Sequence, residues 1–170
     1  ILGRLPPKVR KTLLREMYKT HLETCPILKG VEDPILDKLC MQMMPYLAME
    51  DDEIVVENEI GDCMYFIVSG TVGFWIGGNK IDHELGKHRY FGEVALMHDP
   101  DQDEKYSGSK RTATGRAIAP TKILILDQDT FARVMAAGGG DVSFVLLLPT
   151  ADACAEASNK DKHDDDDKCW

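Results

Sequence analysis

The sequence predicts an α+β fold: an antiparallel, jelly-roll-like β-roll flanked by N-terminal helices and a short C-terminal helical segment. Three observations carry this. Up to Pro45 the apolar residues recur at helical spacing. Beyond it they gather into short runs at residues 54–56, 64–68, 72–76 and 123–126. Those runs are separated by Gly61-Asp62, Ser69-Gly70, Gly77-Gly78-Asn79, Gly86 and Pro120, turn residues at a spacing that suits a roll or barrel rather than a parallel sheet.

Taken in order, Leu5-Pro6-Pro7 opens the first helix, where the missing proline N–H costs nothing. Val9, Leu13 and Met17 recur every fourth residue, with Leu14 and Tyr18 beside them, and form its expected apolar stripe. Lys8, Arg10, Lys11, Arg15 and Lys19 fill much of the remainder. They read as a solvated face, the functional alternative being a face that docks on a partner or neighbouring subunit. Cys25-Pro26 ends this helix, because the residue before proline is pushed out of the α region. Asp33-Pro34 opens a second, turning Ile35, Leu36, Leu39, Cys40 and Met43 inward, and Pro45 is expected to close it. After the strands, a helix capped by Asp129 or Thr130 runs through Met135 and returns Phe131, Val134 and Met135 to the core. Gly138-Gly139-Gly140 breaks it; Asp141 could cap a further short helix over 142–148 before Pro149.

Length and composition narrow the function classes. A chain of 170 residues, 44% hydrophobic, fits one domain with a buried core. The formal net charge of -9 argues against a general nucleic-acid binder. The stretch from residue 159 is charged, acidic and expected to be disordered; Asp164-Asp165-Asp166-Asp167-Lys168 also matches a protease-cleavage sequence and is given no function. The five cysteines are scattered, without metal spacing or a disulfide framework, and read as reduced thiols of a cytosolic compartment. No apolar run approaches the roughly 18 residues that cross a bilayer, and the start at Ile1 rather than Met suggests a fragment. Asp99, Asp101 and Asp103 alternate as in a calcium loop, but Glu104 and Lys110 stand where glycine and glutamate are needed, so a solvated acidic loop is the reading. His83, His88 and His98 lack metal spacing and read as surface residues; Tyr65 and Trp75 read as packing. There is no nucleophile–base pair, so no enzyme activity and no catalytic residue are expected.

The chemistry concentrates in two segments. In Phe91-Gly92-Glu93-Val94-Ala95-Leu96, a glycine before an acid and a short apolar run lets backbone approach a ligand closely, and could start a one-turn helix whose N–H groups face an anion. In Lys110-Arg111-Thr112-Ala113-Thr114, an arginine followed by a hydroxyl suits a phosphate: the guanidinium fork takes two oxygens and the hydroxyl adds a donor. Glu93, when ionised, could accept a hydrogen bond from a sugar hydroxyl.

Together and in this order, these segments resemble the cyclic nucleotide-binding domain family. Gly61-Asp62-Cys63-Met64-Tyr65-Phe66-Ile67-Val68-Ser69-Gly70 is similar to its glycine-bounded strand signature, and Phe91-Gly92-Glu93 through Arg111-Thr112-Ala113 to its phosphate-binding cassette. The resemblance implies that Glu93 binds the ribose 2′-hydroxyl of cAMP or cGMP and Arg111 the cyclic phosphate, with Thr112 on the phosphate or the purine. Gly92, Val94, Ala95 and Leu96, with Phe91 and Ala113, would supply backbone donors and pocket wall. No metal and no further cofactor are implied. The start, Leu5-Pro6 with a basic helix and then residues 21–30, resembles the end of the linker between a channel pore and its nucleotide domain, as in cyclic nucleotide-gated and hyperpolarisation-activated channels. That implies a linker-like helix over 1–24, the β-roll with its flanking helices over 25–150, and an acidic tail over 151–170. The implied molecule is the cytoplasmic sensor of a membrane channel, partnered by the rest of that channel and sister subunits, and not itself inserted in the bilayer. The alternatives are the regulatory domain of a nucleotide-dependent kinase or exchange factor, or a roll that binds no nucleotide and serves protein interaction. In one respect the chain departs from the family: Gly138-Gly139-Gly140 and Pro149 stand where a long helical lid over the purine belongs, which bears on base selectivity more than on phosphate binding.

Overall fold

The computed structural model describes residues 6–96 and 109–137. Helix α1 (Pro7–Glu23) is followed by a tight turn at Pro26–Leu28 and by α2 (Asp33–Gln42). Then come β1 (Met44–Ala48), β2 (Glu53–Val55), β3 (Ile60–Gly61), β4 (Cys63–Ser69), β5 (Val72–Ile76), β6 (Asn79–Leu85) and β7 (Tyr90–Phe91). A one-turn helix at Glu93–Leu96 precedes β8 (Ser109–Lys110), β9 (Thr114–Ala117), β10 (Thr121–Asp127) and α3 (Gln128–Ala137). One antiparallel sheet runs β1-β10-β4-β7 and a second β2-β9-β5-β6, with β3 and β8 as a separate pair. This is the helix-flanked antiparallel β-roll that the sequence predicts.

The period of two in β4 and β10 divides the interior into two cores. Met64, Phe66, Leu124 and Leu126 face the helices and pack with Leu22, Leu39 and Phe131. Ile67 and Ile123, with the partly buried Tyr65 and Ile125, face the second sheet and meet Val55, Val72 and Phe74. Gly70 turns the β4–β5 hairpin at φ +93, and a Cβ there would lie 2.6 Å from the Thr121 Cα. Only glycine allows that approach. It leaves Thr121, fully buried, donating from its hydroxyl to the Ala119 carbonyl at 2.7 Å and accepting the Thr71 N–H at 3.0 Å.

Several local expectations are corrected. Val9, Leu13 and Met17 are 46, 40 and 51% exposed; the buried face of α1 is Leu14, Tyr18, His21 and Leu22. Three of the five basic residues, Lys11, Arg15 and Lys19, are not simply solvated, because α2 supplies their partners, whereas Lys8 stays exposed. Lys11 and Arg15 meet the buried Asp37 at 3.0 and 3.4 Å, and Arg15 and Lys19 both reach Asp33. Pro45 does not close α2, which ends at Gln42; it sits inside β1, at the rim of its sheet. That is a tolerated place for a residue without an N–H. The cap of α3 is Asp127, whose Oδ1 accepts the Thr130 N–H at 2.8 Å, rather than Asp129 or Thr130. His88 is half-buried and stacked on His21, not a surface residue, whereas His83 is exposed. The acidic loop with His98, the glycine break at 138–140, the apolar segment behind it and the acidic tail lie outside the described residues.

Candidate functional site

The two cassette segments meet at the Arg111 guanidinium. Its Nη2 donates to the Cys63 carbonyl at 2.7 Å and its Nη1 to the Gly92 carbonyl at 3.3 Å. The guanidinium also lies 5.5 Å from the centre of the Tyr65 ring, within cation–π range. The backbone of Arg111 is held as firmly: its N–H donates to Glu59 and its carbonyl accepts from Asn58, both at 2.8 Å.

Two glycines make the space. Gly92 has φ +79, and a Cβ there would stand 2.6 Å from Nη1 of Arg111. A Cβ on Gly61 of β3 would collide with the guanidinium carbon and Nε of the same arginine. Glycine is thus favoured at 92 by conformation and by contact, while at 61 a side chain would displace the head of Arg111.

Around this point Tyr65 stacks on Phe91 at 4.9 Å and 14°, and Phe91 meets Phe74 edge-on at 5.5 Å. The aromatic row ends at His83, whose ring lies 5.8 Å from that of Phe74. His83 shares the phase of Ile81 and Leu85 on β6, the two residues of that strand that pack into the roll-side core. Burial, above all, raises the Tyr65 hydroxyl pKa, and Cys63 is pushed up to about 12 by burial, by a hydrogen bond with Asp62 and by the charges of Asp62 and Asp127. Both therefore stay neutral at neutral pH.

Of the residues singled out in the sequence, Phe91 is buried and Gly92 and Glu93 are half-buried, Glu93 opening the one-turn helix directly after the carbonyl that holds Arg111. Val94 is exposed; Ala95 and Leu96 are buried, Leu96 in the helix-side core. Arg111 is half-buried, Thr112 exposed, and Ala113 packs on the roll-side core. What sequence reasoning did not single out is the seat of the arginine: Gly61, the Cys63 carbonyl, the Tyr65 ring, and the loop at Asn58 and Glu59. Gly61 and Cys63 carried a signal, since both stand in the strand signature. A concavity of about 150 Å³ opens between the sheets, lined by Tyr46, Glu53, Ile54, Tyr65, Ile123 and Ile125. It is smaller than the roughly 300 Å³ at which ligand pockets begin. Among the described residues no group of three or more His, Cys, Asp or Glu side chains gathers as a metal would need. No described helix is long and apolar enough to cross a membrane.

Comparisons with known proteins agree with this geometry. The chain is 36% identical over 86 residues, 49% of its length, to the cAMP-dependent protein kinase regulatory subunit of Debaryomyces hansenii. It is 28% identical over 57% of its length to the potassium channel KAT4 of Oryza sativa subsp. japonica. It is 26% identical over 79% of its length to the human potassium/sodium hyperpolarization-activated cyclic nucleotide-gated channel 4. It spans only 17, 17 and 10% of these three relatives. The solved structure of a cyclic nucleotide-binding-like protein from Brucella abortus superposes with a TM-score of 0.60 at 21% identity, over 68% of this chain and 95% of that one, and shares its fold. The family model for the cyclic nucleotide-binding domain matches residues 48–137, more than half of the sequence and every part of the arginine's seat, and the chain therefore belongs to the cyclic nucleotide-binding domain family.

Proposed function

We propose that this domain binds cAMP or cGMP, with Arg111 on the cyclic phosphate and Glu93 on the ribose, as the cytoplasmic sensor of a membrane channel. One observation carries the binding reading: the guanidinium is positioned in advance by the Cys63 and Gly92 carbonyls over the Tyr65 ring. A planar fork with N–H groups on several sides can keep such anchors and still present donors to a phosphate. Gly92, Val94, Ala95 and Leu96 then supply backbone around the sugar and phosphate, Phe91 and Ala113 the apolar support, and Thr112 a hydroxyl. Selection between the two nucleotides falls to groups around the base.

The channel reading rests on two observations. The similarity to the human channel extends over 79% of the chain, well outside the matched domain. In addition, α1 presents Val9, Leu13 and Met17 outward, a stripe suited to docking on the rest of a larger assembly, sister subunits included. Gating would then follow from linkage: the nucleotide shifts the resting–active equilibrium only by its difference in affinity for the two states. A second reading, a kinase regulatory domain, is favoured by the higher identity, 36% over 86 residues, to the Debaryomyces hansenii subunit.

Calorimetric titration of the chain with cAMP and cGMP tests the binding reading. Saturable binding of one or both is expected. Arg111→Ala should weaken it by roughly tenfold or more, as loss of a charge-assisted hydrogen bond of about 1.5–3 kcal/mol requires. Binding of neither nucleotide, or unchanged affinity in Arg111→Ala, overturns it. The two contexts separate on a joint test: the nucleotide-dependent response of a channel in which this domain replaces the native sensor, against nucleotide-dependent release of a kinase catalytic subunit.

A further inference from the structure

Two histidines far apart in sequence meet where α1 touches the β-roll. His21, on the buried face of α1, is only 4% exposed. Its ring stacks on that of His88 with centroids 4.6 Å apart and planes 22° from parallel. Neither Nδ1 has a hydrogen-bond partner among the described residues. Thr24 closes the junction, its hydroxyl lying 2.7 Å from the His21 carbonyl and 3.1 Å from the His88 carbonyl. His88 itself is fixed in the left-handed region at φ +66, its N–H donating to the Ile67 carbonyl at 3.0 Å. The turn that carries it leads directly into Tyr90, Phe91 and Gly92.

We propose that the His21–His88 stack is a proton-sensitive latch that holds α1 on the roll at neutral pH and releases it on acidification.

While neutral, the buried His21 ring makes an apolar contact; adding a proton places a cation where its Nδ1 has no hydrogen-bond partner among the described residues. Among the described groups that act on His21, none favours its charged form. From the β6–β7 turn, Lys87 and His88 act on His21, and both disfavour its charged form; Arg89 follows them in the same turn. On α1, Tyr18 stands one turn earlier, its hydroxyl pKa raised by burial, and Cys25 lies just beyond the end of the helix. Strand β4, which packs against α1, turns the apolar Met64, Phe66 and Val68 towards the helices. Burial first, then His88 and Lys87, lower the pKa of His21 from its ordinary 6.5. The sign follows: a group depressed in the docked state contributes stability in full above about pH 6.5, and loses it as pH falls through the depressed value. The effect does not require a nucleotide in the cup.

Amide hydrogen exchange of the whole chain, corrected for intrinsic rates, reads the latch at α1. Between about pH 7.5 and 5.5 the protection of residues 7–24 should fall severalfold further than that of β4 and β10. His21→Phe keeps a stacked ring and cannot take a proton, so it should remove that excess loss. An equal loss in the strands, or an excess that survives in His21→Phe, overturns the latch. A proton NMR titration of the wild-type imidazoles guards against a variant that folds poorly: a His21 ring with a midpoint at or above 6.5 also overturns it, and a depressed midpoint supports it.

Discussion

The two faces of the β1-β10-β4-β7 sheet are built to opposite ends. On the helix side, Met64, Phe66, Leu124 and Leu126 are at most 1% exposed and pack with apolar residues from three helices. On the other side, Tyr65 and Ile125 are only partly buried and the aromatic row from Tyr65 through Phe91 and Phe74 ends at an exposed histidine. The same strand thus contributes alternate residues to a closed core and to an open one. The helix side is sealed; the other leaves the Tyr65 ring and the positioned Arg111 cation half-buried.

The sharpest way to break that contrast is to truncate neighbours that point opposite ways. Phe66→Ala removes a fully enclosed ring and should cost about 3–5 kcal/mol in chemical denaturation. Tyr65→Ala, one residue away, should cost clearly less, because its ring is already part-solvated. Equal losses would mean that the two cores are one. A smaller but more selective effect is expected at Gly92→Ala. Left-handed backbone with a side chain costs about 1–3 kcal/mol, and the new methyl displaces the guanidinium, so nucleotide affinity should fall roughly tenfold or more while β4 and β10 keep their exchange protection. The smallest effect concerns Cys63. With its thiol pushed up to about 12, alkylation mapped to this residue at about pH 8 should be roughly tenfold or more slower than at an ordinary thiol, and Asp62→Asn should speed it. A rate at Cys63 equal to that of a model thiol would refute the buried, charge-surrounded setting.

How much of this was legible depended on whether the signal was local. The strands with dense apolar runs, β4, β5 and β10, could be read directly. Strand β6 could not, because Lys80, Asp82 and Glu84 outnumber Ile81 and Leu85; nor could β1, where Pro45 imitates a stop. Helix α1 offers two stripes at equal spacing, 9-13-17 and 14-18-22, and periodicity cannot choose between them. The choice is made in three dimensions: Leu14, Tyr18 and Leu22 pack into the helix-side core, while Asp33 and Asp37 of another helix pair with Lys11, Arg15 and Lys19. The site divides in the same way. Arg111, Gly92 and Glu93 stand in short recognisable motifs, whereas the carbonyl of Cys63 and the ring of Tyr65 enter only because β4 is folded against β7. His21 and His88 had no shared pattern at all, being 67 positions apart.

The proline in β1 has a consequence for how copies of this protein behave in a crowd. A sheet margin bearing Met44, Tyr46 and Leu47 half-exposed is the kind of border on which other chains assemble into fibrils. Here the ring nitrogen of Pro45 has no hydrogen to offer, and Met49 spends its N–H on Asp52 and its carbonyl on the same residue's amide. Pro45 thus interrupts the row of donors that a second chain would need to zip along this margin.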